Sequence, residues 1–292
     1  MLMEKIVNHI SSWLKDYCLK SGLNGFVVGV SGGIDSAVTS TLCCKAGLKV
    51  IVLNMPIYQS QNQLNLSNSH INWLENHFKN VKGIIIDLTP SFKAIQDSLP
   101  KEIQDDLTMA NTRSRLRMLT LYAFASHNKL LVAGTGNKVE DFGVGFYTKY
   151  GDGGVDISPI ADLFKTEVFA IGKYLGINDD IINAPPTDGL WEDGRTDESQ
   201  IGATYPELEW AMRYEQNKSY VNELEYDFKV RTSTQSIEQD RFRILSDEER
   251  DESLLSPRQK EVLSIYRRFN NMNRHKMEPI PVCRIPYGLN SL

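Results

Sequence analysis

Cysteine, histidine and long hydrophobic runs are all scarce in this 292-residue sequence. It has four cysteines and five histidines, and the cysteines form no C-x-x-C pair of the kind that indicates structural zinc. Scattered thiols predict free cysteines in a reducing compartment, and we expect a cytoplasmic protein. The apolar stretches, such as residues 26–30, are too short to span a bilayer, so we expect no membrane-embedded segment. The first residues follow a helical spacing interrupted by charges, which is not typical of a signal peptide.

An excess of positive charge is also missing. The formal net charge is −5 and the isoelectric point is near 5.6, which argues against a nonspecific nucleic-acid-binding protein. With 41% hydrophobic and 24% charged residues, the composition is that of an ordinary globular protein, and the length suits one or two domains. Any anionic ligand must therefore be held by a local site.

Short apolar runs without polar alternation predict strands that are buried on both faces of a parallel sheet. The runs cover residues 25–30, 49–53, 84–88 and 130–133. Helical spacing separates them, over residues 36–47, 64–78, 107–127 and 165–175. This alternation predicts an α/β fold with a doubly wound parallel sheet flanked by helices, whose ligands bind at the carboxyl ends of the strands.

The composition changes near residue 216. We predict a core over residues 1–215, a charged, peripheral helical insertion over 216–271 with a helix at 256–269, and an extended tail over 272–292. The prolines at positions 279, 281 and 286 favour the extended tail.

The strongest local signal lies between the first predicted strand and the helix that follows it. Residues 31–36 read Ser-Gly-Gly-Ile-Asp-Ser. Glycines allow close approach of the backbone, serines offer hydroxyls, and a helix N-terminus favours negative charge, so the segment predicts a pyrophosphate site. The alternative is that Asp35 or Ser36 simply caps a helix. The spacing excludes both a Walker A loop and a G-x-G-x-x-G dinucleotide fingerprint.

This segment resembles the pyrophosphate loop of the ATP-pyrophosphatase enzymes, which activate a carbonyl group by adenylation. The segment 133–140 reads Ala-Gly-Thr-Gly-Asn-Lys-Val-Glu, and 145–154 reads Gly-Phe-Tyr-Thr-Lys-Tyr-Gly-Asp-Gly-Gly. These runs are similar to NAD synthetases in particular. The resemblance covers nearly all of residues 1–215 and returns at residues 274–276, and it implies an adenine nucleotide alpha hydrolase-like fold.

The resemblance also implies roles for individual residues. Lys165 would be catalytic together with Asp152, which would lie near the ammonia site. Asp35 and Glu140 would bind Mg²⁺, for which carboxylates and phosphate oxygens are suitable ligands. Because one more residue than usual separates Glu140 from Gly145, Asp141 competes with Glu140 for that role. ATP would be bound by Gly29, Val30, Ser31, Gly32, Gly33, Ile34, Asp35, Ser36, Thr135, Lys165 and Thr187, and the deamido-dinucleotide by Arg117, Lys149, Asp156, His275 and Lys276.

The implied reaction is ammonia-dependent amidation of deamido-NAD to NAD through an adenylated carboxylate, with ATP as co-substrate. Three alternatives stay open: amidation of the mononucleotide, a tRNA-modifying member of the superfamily, and an adenine-nucleotide sensor without turnover. The acidic balance and the lack of a catalytic cysteine motif disfavour the tRNA-modifying enzyme. The resemblance further implies a homodimer and a tail that closes the substrate site. Since the core already fills the chain, ammonia would be used directly or delivered by a separate glutaminase.

The helix over residues 107–127 carries three arginines. Arg113 and Arg117 stand four residues apart and share a face, whereas Arg115 points elsewhere. We expect Arg113 to assist Arg117 at the site and Arg115 to form a structural ion pair.

Overall fold

Four parallel strands form the sheet at the centre of the computed structural model, which describes residues 2–187, 195–219 and 251–284. The strands are β1 (Gly25–Gly29), β2 (Lys49–Asn54), β3 (Val81–Ile85) and β4 (Leu131–Val132), in the spatial order β3-β2-β1-β4. The first six α-helices are α1 (Leu2–Lys20), α2 (Ile34–Lys45), α3 (Gln61–His77), α4 (Thr89–Ser98), α5 (Asp106–Asn128) and α6 (Lys165–Leu175). They are followed by α7 (Asp179–Ile182), α8 (Asp197–Ile201), α9 (Tyr205–Ser219) and α10 (Pro257–Met277).

Both faces of the sheet are buried, because successive side chains of a strand point to opposite sides. In β1, Phe26 and Val28 join a core cluster with residues of α1, α2 and α6. Val27, which lies between them, joins the cluster formed with α4 and α5. The doubly wound α/β fold is therefore confirmed.

The predicted element positions differ from the observed ones mainly around β3. The strand lies at Val81–Ile85 rather than at 84–88, because Val81 pairs with Val50 of β2, while the Asp87 carboxylate accepts the Thr89 N–H at the start of α4. The crossover from β3 to β4 then contains two helices, α4 and α5, where the sequence predicted one. Helix α2 begins at Ile34, two residues before the predicted start.

The C-terminal helix corrects the predicted domain boundary at residues 271 and 272. Helix α10 continues to Met277, so residues 272–277 are helical rather than extended. It is also not peripheral, since Val262, Leu263 and Tyr266 are buried in a core cluster shared with α9. The insertion predicted for 216–271 falls largely on residues 220–250, which lie outside the described residues.

Strand order places the ligand-binding edge of the sheet. The chain leaves β1 towards β2 on one side, and returns after β3 to β4 on the other side of β1. In open α/β sheets a crevice forms at such a switch point, at the carboxyl ends of the two strands. The loop after β1 contains residues 30–33 and the loop after β4 contains residues 133–138, so the two sequence motifs meet there.

Candidate active site

The loop after β1 has the geometry of an anion cradle. The Ser31 N–H donates to Ser36 Oγ at 3.2 Å, and the Ser36 hydroxyl donates to the Gly33 carbonyl at 2.9 Å. Gly33 is the N-cap of α2, and it has no side chain to bind the first helical N–H groups. Asp35 and Ser36 therefore do not act as simple helix caps, and the N-terminus of α2 is open to an anion.

Gly32 makes this loop possible. Its φ of +89° favours glycine, and a Cβ atom would stand 3.0 Å from the Gln63 carbonyl oxygen and 3.0 Å from Leu66 Cβ in α3. The loop packs so close to α3 that there is no room for a side chain at position 32.

We expect Gly32→Ala to lower the free energy of unfolding by about 1–3 kcal/mol, because it adds both backbone strain and overpacking. Binding of ATP should weaken as the loop moves away from α3. Urea denaturation and calorimetric titration with ATP measure the two effects. Gly47→Ala is the matched control, since Gly47 also has a positive φ of +78° but nothing within 4 Å of an added Cβ. Equal losses in the two variants would contradict the role of the α3 contact.

A buried ammonium group joins two carboxylates beside this loop. Lys165 begins α6 and its side chain is 3% exposed. Lys165 Nζ lies 2.5 Å from Asp35 Oδ2 and 2.9 Å from Glu140 Oε1. The structure thus brings together three residues that lie 25 to 130 positions apart in the sequence. A lysine is unfavourable at a helix N-terminus, and these two carboxylates compensate for that cost.

The charges of Lys165, Asp35 and Glu140 shift one another's pKa values. Burial opposes the charge on Lys165, yet the Asp35 and Glu140 carboxylates raise its pKa above the usual value, so the ammonium form persists. For Glu140, burial is outweighed by Lys165 and by hydrogen bonds from Tyr205, Lys165 and Asn137, which lower its pKa. Burial and the Glu140 charge together raise the pKa of Asp35.

Three residues that the sequence analysis missed hold this group in place. The buried Asn137 donates from Nδ2 to Asp35 Oδ1 at 3.2 Å, and its Oδ1 accepts the Glu140 N–H at 3.2 Å. The Tyr205 hydroxyl donates to Glu140 Oε1 at 2.5 Å and lies 3.3 Å from Asp197 Oδ2. Asn137 lies within the Gly-rich segment already singled out, whereas no sequence pattern distinguished Tyr205 or Asp197.

Glu140 and Asp141 both lie in a π-helix at Val139–Val144. Its wider turn accommodates the extra residue before Gly145. Glu140 faces Lys165, whereas the Asp141 carboxylate packs on Gly136, where an added Cβ would lie 2.1 Å from Asp141 Oδ1. Burial, followed by the charges of Glu140, Asp152 and Asp35, raises the pKa of Asp141 well above its usual range. Glu140 is therefore the carboxylate that shares Lys165 with Asp35, and the choice between Glu140 and Asp141 as a Mg²⁺ ligand stays a prediction.

A cavity of about 140 Å³ adjoins this group, and Asp141, Tyr147, Asp152 and Met277 are among the residues that line it. Asp152 Oδ1 accepts hydrogen bonds from the Ser114 hydroxyl at 2.7 Å and from the Thr148 N–H at 3.0 Å. Burial raises the pKa of Asp152 despite these two bonds. The cavity therefore presents a fixed carboxyl group, as the predicted role of Asp152 requires.

The end of α10 packs on residues 143–149, the segment that contains Tyr147 of the cavity lining. Lys276 Nζ donates to the Tyr147 carbonyl at 2.7 Å, and Lys149 Nζ donates to the His275 carbonyl at 2.7 Å. Further up the helix, Asn270 and Asn273 donate to the carbonyls of Gly143 and Val144, at 2.7 and 2.8 Å. Lys149, His275 and Lys276 are thus brought together, although the His275 side chain is exposed.

Other predicted site residues make structural contacts instead of joining these groups. Arg117 donates to the Met55 carbonyl at 3.0 Å and to Gln59 Oε1 at 2.8 Å. Both carboxylate oxygens of Asp156 accept bonds from within the fold, from the Tyr122 hydroxyl at 3.0 Å and the Val132 N–H at 2.8 Å. The Thr187 hydroxyl donates to the Arg195 carbonyl at 3.1 Å. The ligand contacts predicted for these residues stay predictions.

The rest of the predicted ATP set lies along the two loops. Thr135 is half-buried in the loop after β4, whereas Val30 and Ile34 are buried in the core cluster shared with α1 and α6. Arg115 donates to the Lys149 carbonyl at 3.3 Å, where the sequence predicts an ion pair. The Arg113 guanidinium lies over the Phe92 ring, and its predicted assistance to Arg117 stays a prediction.

The NAD synthase family model matches residues 6–244. The ammonia-dependent NAD⁺ synthetase of Carboxydothermus hydrogenoformans is 41% identical over 211 residues, which covers 70% of this chain and 82% of that protein. The corresponding enzyme of Methanocaldococcus jannaschii is 41% identical over 220 residues, with 74% and 83% covered. The chain belongs to the NAD synthase family. The predicted family and enzyme class, a ligase that uses ATP, are therefore confirmed.

Solved structures of NAD synthase relatives agree with the fold. The NMN synthetase of Francisella tularensis superposes with a TM-score of 0.75 at 28% identity, covering 97% of this chain and 99% of that one. The ammonia-dependent NAD synthetase of Campylobacter jejuni gives a TM-score of 0.67 at 23% identity, with 97% and 100% covered, and shows the shared fold alone.

In this member of the NAD synthase family, the donor set suits a magnesium ion held chiefly by its nucleotide. Within the described residues there is no cluster of three or more acidic, histidine or cysteine side chains that could hold a metal ion by itself. Asp35 and Glu140 supply two hard carboxylates, and Mg²⁺ commonly takes one or two from the protein and the rest from phosphates and water. The two residues fit that role.

None of the helices within residues 2–187, 195–219 and 251–284 has both the length and the apolar character that crossing a bilayer requires.

Proposed function

We propose that this protein amidates nicotinic acid adenine dinucleotide with ammonia in an ATP-dependent reaction that yields NAD, AMP and pyrophosphate. The observation that supports this best is the buried Lys165 between Asp35 and Glu140, next to the open N-terminus of α2. The Lys165 ammonium and the N–H groups at the start of α2 would meet the phosphates of ATP, and the two carboxylates would meet its metal ion. A carboxylate resists attack by ammonia, so activation by adenylation must come first.

In the first step, an oxygen of the substrate carboxylate attacks the α-phosphorus of ATP. The bond from the α-phosphorus to the bridging oxygen breaks, and pyrophosphate leaves with the electron pair. The N–H groups at the start of α2 and the Lys165 ammonium stabilise the charge that accumulates on it. Ser31 and Ser36 hold the loop and offer hydroxyls to the phosphates, so no covalent enzyme nucleophile is needed.

Asp35 and Glu140 would hold Mg²⁺, which supplies charge neutralisation on the phosphates when it is bound. These two carboxylates are already fixed by Asn137 and Tyr205, so the protein has little reorganisation to undergo when the nucleotide arrives.

In the second step, ammonia attacks the carbonyl carbon of the mixed anhydride, and AMP leaves as the bond from the carbonyl carbon to the phosphate oxygen breaks. The cavity beside the triad of Asp35, Glu140 and Lys165 supports a role for Asp152 in this step. Its carboxylate, oriented by Ser114 and Thr148, would bind ammonium and accept the proton that the attacking nitrogen loses.

Lys149, His275 and Lys276 would contact the dinucleotide together with Arg117 and Asp156. The ends of α10 and of the 145–149 segment hold one another in place, which supports the proposal that the C-terminal residues close the substrate site. We further propose a cytoplasmic homodimer that uses free ammonia or receives it from a separate glutaminase.

A second candidate is amidation of the mononucleotide. The superposition with the Francisella tularensis NMN synthetase, over nearly the whole of both chains, favours it. The ATP half would be the same in both enzymes, so only the second substrate would distinguish them. Against a sensor without turnover stands the complete assembly of Asp35, Glu140 and Lys165.

We expect the protein to release pyrophosphate from ATP in the presence of Mg²⁺, ammonium and the acid dinucleotide. The assay is run in parallel with the acid mononucleotide. Asp35→Ala should lower the rate at least about a hundredfold, since it removes a group fixed at the phosphate site. Asp162→Ala is the control, because Asp162 lies in an ion pair with Lys138 and its side chain is 80% exposed.

The outcomes separate the candidates. Faster release with the mononucleotide would assign the second function, and ATP binding without release from either acid would indicate the sensor. Equal rates for the Asp35 and Asp162 variants would contradict the phosphate site.

A further inference from the structure

Helix α9 presents two buried side chains to the base of the site from one of its faces. Tyr205 and Glu209 are four residues apart and are 3% and 4% exposed. Glu209 accepts the Thr166 N–H at 3.0 Å and the Thr166 hydroxyl at 2.8 Å, so it holds the first turn of α6 next to Lys165. Tyr205 reaches the triad itself, through Glu140 Oε1 at 2.5 Å.

The Glu140 carboxylate is held at one atom by two donors. The Tyr205 hydroxyl and Lys165 Nζ both bond Oε1, and the Tyr205 ring centre lies 4.7 Å from the same ammonium group. A glutamate side chain has several rotatable bonds, so one ion pair would leave its orientation loosely defined. A second, charge-assisted hydrogen bond from a rigid aromatic side chain fixes it.

Tyr205 also connects the triad to the segment that carries Thr187. Asp197, 3.3 Å from the Tyr205 hydroxyl, donates its N–H to the Pro186 carbonyl at 3.0 Å. The Tyr205 N–H donates to Glu198 Oε1 at 2.8 Å. Tyr205 therefore lies where α8 and α9 contact two segments that carry predicted ATP-binding residues. One segment carries Lys165 and the other carries Thr187.

We propose that Tyr205 is a positioning residue for the ATP half-reaction, and that its hydroxyl fixes the Glu140 carboxylate beside Lys165 in the orientation that the nucleotide phosphates meet. This inference rests on the proposed function insofar as it takes ATP to be bound at the triad. The inference concerns residues of this chain only, and it does not depend on which acid is the second substrate.

The test is Tyr205→Phe, which removes the hydroxyl and keeps the ring over Lys165. We expect kcat/KM for ATP to fall about tenfold to hundredfold, as for loss of a hydrogen bond to a charged group, while KM for the acid substrate changes less than about twofold. Tyr266→Phe is the matched control, because Tyr266 is buried in the same core cluster, whereas the Glu140 side chain is hydrogen-bonded by Tyr205, Lys165 and Asn137. It should retain full activity.

A double-mutant cycle distinguishes positioning from general packing. ATP affinity is measured by calorimetry for the wild type, Tyr205→Phe, Glu140→Gln and the double variant. If Tyr205 acts through Glu140, the tyrosine change weakens ATP binding in the wild type but by less than about twofold in the Glu140→Gln background. Should Glu140→Gln abolish binding, Glu140→Asp takes its place, since it keeps the charge but moves it away from the hydroxyl.

Additive losses in the cycle, or an unchanged kcat/KM in Tyr205→Phe, would overturn the inference while leaving the proposed function intact. A wild type that binds ATP but releases no pyrophosphate would overturn the proposed function, and the calorimetric cycle would still decide the role of Tyr205. A wild type that does not bind ATP would overturn both.

Discussion

Replacing Lys165 with methionine is expected to lower kcat/KM for ATP by about a thousandfold, the upper range for removing one preorganised electrostatic group. The ammonium is buried between Asp35 and Glu140, and methionine keeps most of the side-chain volume without the charge. The two carboxylates would then lose their shared partner, so one of them should take up a proton at neutral pH. Steady-state kinetics at saturating acid substrate measure the effect.

The control is Lys173→Met on the same helix. Lys173 is exposed, about two turns from the site, and its replacement should leave kcat/KM within about twofold. Circular dichroism checks that both variants are folded at the assay temperature, because breaking a buried ion pair can cost about 3–5 kcal/mol. A loss below about tenfold in folded Lys165→Met would show that this ammonium does not stabilise the leaving group.

A large effect on stability without loss of any charged group is expected from Gly25→Ala, at the start of β1. A Cβ atom there would stand 1.8 Å from the Lys49 carbonyl oxygen, in the backbone of the neighbouring strand. Neither strand can move away without breaking the hydrogen bonds between β1 and β2, where Gly25 pairs with Lys49. We expect a loss of about 3 kcal/mol or more in the free energy of unfolding, a large part of the stability of a typical domain. Urea denaturation measures it.

Gly22→Ala provides the comparison, since Gly22 has a φ of +67° and nothing within 4 Å of an added Cβ. It tests the backbone strain alone and should cost about 1 kcal/mol. If the two variants unfold at the same urea concentration, the contact with Lys49 is not what requires glycine at position 25.

Local patterns predicted the sheet and its binding edge well. The run at 25–30 and the Ser-Gly-Gly-Ile-Asp-Ser segment specify a strand, a turn and a helix through their own residues, and the structure has them in that order. The strand β3 was placed three residues late, because its pairing with Val50 is set by another part of the chain.

Only those residues of the candidate site that lie in a sequence motif or match the family could be predicted from the sequence. Lys165 has its role from the resemblance, and Asp35 and Glu140 lie in recognisable segments. Tyr205 and Asp197 do not, and their importance comes from tertiary contacts with Glu140 across 65 positions of sequence and with each other. Arg117 has its ligand role from the resemblance alone, and its hydrogen bonds to Met55 and Gln59 leave that role a prediction.

The contacts of α10 have a consequence for synthesis of the chain. Asn270 bonds Gly143 across 127 positions, and Lys276 bonds Tyr147 across 129. Strands β1, β2 and β3 can form while translation continues, because each pairs with the next strand along the chain, and β4 follows by pairing with β1 across 105 positions. The wall of the cavity cannot be completed until residue 277 has left the ribosome. The nascent protein can therefore form the loop after β1 early, whereas the side of the cavity that Met277 lines is added only when α10 is available.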